Sequence, residues 1–140
     1  MLLYWTLMKA DPLRDDGFRD PFAGEPQDYF EENYVVWEND THTQDTFYLH
    51  GALHLFMGES NLQKYCWSRT GIRLLEQIDA ALKTGRFPLV VAEGTTEQKQ
   101  AKIQRSSYLG HGFRSLAAKW GNLFVFGHSL ADNDQHILNQ

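Results

Sequence analysis

The spacing of apolar residues along this chain changes several times, and each change marks an element. Residues 1–8, MLLYWTLM, are nearly continuous apolar sequence and read with 9–10 as a short helix. Asp11-Pro12 ends it, because a proline pushes the residue before it out of the α region. Residues 11–28 carry Pro12, Pro21 and Pro26 with Gly17 and Gly24, the composition of a loop. Tyr34-Val35-Val36-Trp37 is β-branched and aromatic and predicts a strand. Glu38-Asn39-Asp40-Thr41 is turn chemistry. Phe47–His50 predicts a further strand that ends on a histidine, with Gly51 behind it. The runs Leu53–Met57 and Leu62–Trp67 flank Gly58-Glu59-Ser60-Asn61 and predict a hairpin.

Beyond Ser68 the period lengthens. Leu74, Leu75, Ile78, Ala81 and Leu82 fall on one face of a helix that runs to about Thr84, opened by Ser68 or Thr70. Phe87–Ala92 is an almost unbroken apolar run, the pattern of a strand covered on both faces. Thr95 and Gln98 match a capping box and predict a polar helix over 96–105. Ser106 or Ser107 opens another helix, on which Leu109, Phe113, Leu116, Ala117 and Trp120 share a face. Leu123–Phe126 predicts a last strand, followed by a short helix to about Asn139. Helix, strand, helices, strand, helix is the order of parallel strands joined by crossovers, so an α/β layered fold with a mainly parallel sheet is expected.

The chain has 140 residues, enough for a single domain with its own core, and residues 1–140 are read as one. A net charge of −5, with no run of Lys or Arg, argues against a nucleic-acid partner. The apolar start is far shorter than the roughly 20 residues of a membrane span, and it lacks the basic flank of a signal peptide. Cys66 has no second cysteine to pair with, which fits a reducing compartment and hence the cytoplasm. A chain that opens inside an apolar helix, with no cap before it, reads as one whose upstream part is missing.

Three predicted strand exits concentrate the chemistry: His50-Gly51, Glu93-Gly94 and Gly127-His128-Ser129. In a parallel sheet they share one edge, where helix-start amides favour an anion such as a diphosphate. A dinucleotide laid across them is a coherent ligand. From this stretch alone His50 reads first as a core histidine bonded to backbone. Gly110-His111-Gly112 opens like a dinucleotide fingerprint, but no strand precedes it and no third glycine follows. His50 and His54 are four apart in extended sequence, about 13 Å in rise, so they do not share an ion, and no metal site is expected. Ser129 beside His128 lacks the elbow of a hydrolase nucleophile. The pairs Asp15-Asp16 and Glu31-Glu32 read as solvated faces.

Leu2-Leu3-Tyr4-Trp5, Asp16-Gly17-Phe18, Tyr48–His54, Phe87–Gly94 and Leu123–Leu130 occur in this order. Together they resemble the bacterial family called domain of unknown function 4917, which is itself similar to sirtuin-like NAD-binding domains. The resemblance implies a Rossmann-like, sirtuin-like domain with NAD as ligand or substrate, and cleavage of NAD by the intact form. It makes His50 the catalytic base on a ribose hydroxyl, or the group that positions that ribose. It makes Gly127-His128-Ser129-Leu130 the nucleotide-contacting turn, with Gly51, Glu93 and Gly94 lining the crevice. The family's Thr-x-Asn-Tyr-Asp motif and Gly-rich first unit are missing ahead of Met1, so the chain reads as the C-terminal part of such a domain. The paired zinc cysteines of sirtuins are also missing, which disfavours deacylation. The alternative function is a non-catalytic nucleotide-binding or protein-interaction module. A sheet edge left bare by the missing units would be covered by a second copy of the chain.

Overall fold

The computed structural model describes residues 15–19, 34–38, 44–66, 70–125 and 132–138. Five strands, β1 (Phe18–Arg19), β2 (Tyr34–Trp37), β3 (Gly51–Met57), β4 (Leu62–Tyr65) and β5 (Pro88–Val90), form a sheet in the order β1-β2-β4-β3-β5. The helices are α1 (Leu74–Lys83), α2 (Thr96–Arg105), α3 (Ser107–Ala117) and α4 (Gln135–Leu138), the last entered through a 3-10 turn at Asp132–Asp134. The chain divides into two compact units, Met1–Phe47 with Phe56–Phe87, and Tyr48–Leu55 with Pro88–Gln140.

The pairing is antiparallel, and this overturns the expectation of a Rossmann-like, mainly parallel sheet. Phe18 lies opposite Trp37 and Tyr34 opposite Tyr65, with the strands running in opposite senses. The Gly58 amide donates to the Asn61 carbonyl (2.8 Å) and closes the expected β3–β4 hairpin. The Val91 amide donates to the His50 carbonyl (2.9 Å), so the end of β5 lies beside the start of β3. The parallel reading needed two crossover strands after Ser68. Leu123–Val125 forms no strand, with Leu123 70% and Phe124 88% exposed. That leaves β5, which has three half-buried residues and folds back on β3.

In the first unit, Phe56, Leu74, Ile78 and Ala81 pack into a core with Tyr65 against it. Burying Phe56, Leu74 and Ile78 contributes about 1.5–3 kcal/mol each. The expected face of α1 is therefore real but narrower, because Leu75 and Leu82 are exposed. The helix starts at Leu74 with no side-chain cap, not at Ser68 or Thr70. Thr70 instead uses its Oγ1 to accept from the Ile72 amide and from Gln77 Nε2. Two further expectations are corrected here. Part of the loop predicted over 11–28 forms β1. Asp16 is buried and ion-paired with buried Lys64 rather than solvated. The helix expected at residues 1–10 and the pair Glu31-Glu32 lie outside the described residues.

The second unit is organised by helix caps that sequence makes obvious. Thr95 Oγ1 accepts from the Gln98 amide and Gln98 Oε1 accepts from the Thr95 amide, the predicted capping box of α2. Ser106 caps α3 by accepting from the Leu109 amide. Ile103, Tyr108, Leu109 and Phe113 are buried, and α2 packs against both α3 and α4. The face predicted to continue to Trp120 stops earlier, because α3 ends at Ala117 and Trp120 is 97% exposed. Among the described residues, no helix is long and apolar enough to cross a membrane.

Candidate functional site

His50 does not end a strand; it sits in the turn before one. Residues 47–50 form no strand, and the Gly51 amide closes the turn on the Tyr48 carbonyl (2.9 Å). Gly51 has φ +73°, a conformation costly for any residue with a Cβ, and a Cβ there would collide with the Leu89 carbonyl oxygen. The close approach that this glycine permits is thus to β5. Buried Tyr108 on α3 anchors the turn, its hydroxyl accepting from the Tyr48 amide (3.0 Å). The backbone of His50 is therefore held from two sides, and its half-buried ring is presented at the start of β3.

That ring meets a second imidazole. His50 Nε2 and His136 Nε2 are 2.8 Å apart, and the rings meet edge to edge, with centroids 5.0 Å apart and planes inclined by 28°. His136, on α4, is only 3% exposed. Its ring stacks on Phe113 of α3, centroids 5.8 Å apart and planes within 9°. Asp134, two residues earlier, receives the Lys99 ammonium at 2.7 Å, with side-chain exposures of 4% for Lys99 and 14% for Asp134. Thr96 Oγ1 donates to the Asp132 carbonyl (3.3 Å), a second tie between α2 and this turn. One donor atom from each of His50, Asp134 and His136 lies within 4.8 Å of the others.

Chemically, an Nε2–Nε2 contact at this distance holds one proton, with one ring donating while the other accepts. Such a pair can accept a proton from a third group and pass it inward. Two imidazoles and a carboxylate are also nitrogen and oxygen donors for an ion.

The other sequence-selected residues fare differently. Glu93 and Gly94 form an exposed turn between β5 and α2, at the end of β5 whose next residue, Val91, is bonded to His50. They share that end with His50 because the strands are antiparallel, not because both are strand exits. Two amides at the start of α2, those of Thr95 and Gln98, are used by the capping box. Gly127, His128, Ser129 and Leu130 lie outside the described residues. His54 is buried in β3 and meets the Tyr48 ring edge-on (5.4 Å). His111, buried on α3, has its Nε2 3.5 Å from Ser115 Oγ; burial, and secondarily Arg114, lower its pKa below the usual imidazole value.

Asp134, His136 and Lys99 were not singled out from sequence. The one local signal was an acid two residues before a histidine in Asp134-Gln135-His136, and its partner His50 is 86 positions away. The first unit has a cleft of its own, about 290 Å³, lined by Tyr65, Glu76, Gln77 and Arg86 among others and by no histidine.

No curated protein and no solved structure matches this chain. A family model described as domain of unknown function (DUF4917) matches residues 1–140, and the chain belongs to that family.

Proposed function

We propose that this protein binds a nucleotide-like small molecule, with NAD as the leading candidate, and that His50 is its acid–base group. The 2.8 Å contact between His50 and His136 carries the reading. A half-buried imidazole backed by a buried one can take a proton from a ribose hydroxyl and share the charge with its neighbour. NAD as the nucleotide, and the sirtuin-like character behind it, rest on the likeness of the Leu49-His50-Gly51 and Gly127–Leu130 motifs. The antiparallel sheet removes the argument from parallel strand exits, so the reading stands on the imidazole pair and the adjoining Glu93–Gly94 turn. The single cysteine makes the cytoplasm the compartment we favour.

The test is nicotinamide release from NAD, followed by chromatography in the presence of chelator, for the protein and its His50→Ala and His136→Gln variants. Turnover that falls about 100-fold or more in His50→Ala supports the base role. Saturable binding of NAD or ADP-ribose by calorimetry without turnover leaves a non-catalytic nucleotide module. Neither binding nor turnover refutes the nucleotide reading altogether.

A further inference from the structure

We infer that His50, Asp134 and His136 form a binding site for a divalent transition-metal ion, with Zn2+ as the best-suited species. This goes beyond the nucleotide reading and does not depend on it.

Three residues from distant parts of the chain bring one donor atom each to within 4.8 Å of one another. Two are imidazole nitrogens and one is a carboxylate oxygen, a borderline donor set that suits Zn2+ and its first-row neighbours better than Mg2+ or Ca2+. The Nε2 atoms are 2.8 Å apart. Bonds of about 2.1 Å at a tetrahedral angle place two ligand nitrogens about 3.4 Å apart, so the two rings, which now meet edge to edge, must part by roughly half an ångström and turn their Nε2 atoms toward a common point. His136 is already oriented, its ring stacked on Phe113 and almost fully buried. Lys99 holds the Asp134 carboxylate at 2.7 Å, the kind of outer partner that fixes a ligand's direction. The same ammonium adds a positive charge beside the ion, which sets the affinity at a moderate level. Three protein ligands are one short of the four that a tetrahedral Zn2+ takes. An ion held by both Nε2 atoms displaces the proton that the two rings share, so it excludes the paired base role while it is bound.

The experiment is a calorimetric titration of the full chain with ZnCl2 near pH 7.5, without nucleotide, paired with visible spectroscopy of the Co2+ form. The expected result is one ion per chain with a Kd of roughly 10 μM or tighter, and Co2+ bands of a four- or five-coordinate site. His50→Gln, at a half-buried position, and Asp134→Asn should each weaken binding at least about 10-fold, while His111→Gln leaves it unchanged. Circular dichroism checks that each variant is folded. The inference is overturned by an absence of saturable binding up to 1 mM on the order of ordinary non-specific affinities, or by binding that folded His50→Gln and Asp134→Asn both retain. Because no nucleotide is present, this result and that of the NAD assay are independent.

Discussion

Lys99→Met isolates the contact that fixes the acidic arm of the imidazole cluster. Lys99 and Asp134 are 2.7 Å apart, with side chains 4% and 14% exposed, so the ammonium is almost fully withdrawn from water. Methionine keeps the buried aliphatic stem and removes only the charge. The carboxylate is then left partly desolvated without its cation. Breaking a buried pair from one side costs about 3–5 kcal/mol, and the residual exposure of Asp134 places this case at the lower end, near 3 kcal/mol. With a urea slope of about 2 kcal/mol per molar, the midpoint falls by about 1.5 M. Urea unfolding followed at 222 nm reads α2 and α3 of this unit together with α1 of the other. The double variant Lys99→Met/Asp134→Asn carries neither charge and should lose less than the single variants together, giving a coupling of at least about 1 kcal/mol. A Lys99→Met midpoint within 0.3 M of the unsubstituted protein's, about 0.6 kcal/mol, or strictly additive effects would refute the claim that this pair is a buried tie between α2 and the Asp132–Asp134 turn.

Gly51→Ala forces a Cβ onto a backbone with φ +73° and against the Leu89 carbonyl, so a loss of at least about 2 kcal/mol is expected, read by the same urea titration; a loss below 0.5 kcal/mol would contradict the close β3–β5 approach. His111 contributes a pH dependence of definite sign. Its folded-state pKa is lowered, chiefly by burial and then by Arg114. As pH falls below 6.5, the unfolded chain takes up a proton that the folded chain resists, so stability drops until the lowered folded value is passed and then levels off. Relative to His111→Gln, the urea midpoint should be flat above about pH 7 and decline below 6.5; an increase on acidification would reverse the assignment.

Local chemistry made much of the fold readable. Tyr34–Trp37, the β3–β4 hairpin and the Thr95–Gln98 box are each decided within a few residues and the structure has all three, the hairpin strands with shifted bounds, and of the two serines that could open α3 it is Ser106 that caps it. What failed was non-local. Apolar β-branched sequence reports a strand-like surface but not which strand will lie beside it, so Leu123–Val125 looked like a buried strand and is exposed coil. Strand direction followed from a crossover argument that collapsed with it. Phe47–His50 reads as a strand of its own beside Leu53–Met57 but forms the turn that leads into β3, because nothing local says on which side of Gly51 the ladder starts. Sequence singles out His50, which does lie in a cluster, yet His136 beside it and the Asp134–Lys99 pair come from helical segments whose packing no periodicity reports.

The most direct test of the imidazole pair is nuclear magnetic resonance of selectively labelled histidines at pH 7.5. Ring centroids 5.0 Å apart predict through-space cross-peaks between the His50 and His136 ring protons, with nitrogen shifts of a donating and an accepting Nε2. Rings that show no mutual cross-peak, with His50 averaging between tautomers like a free imidazole, would contradict the account.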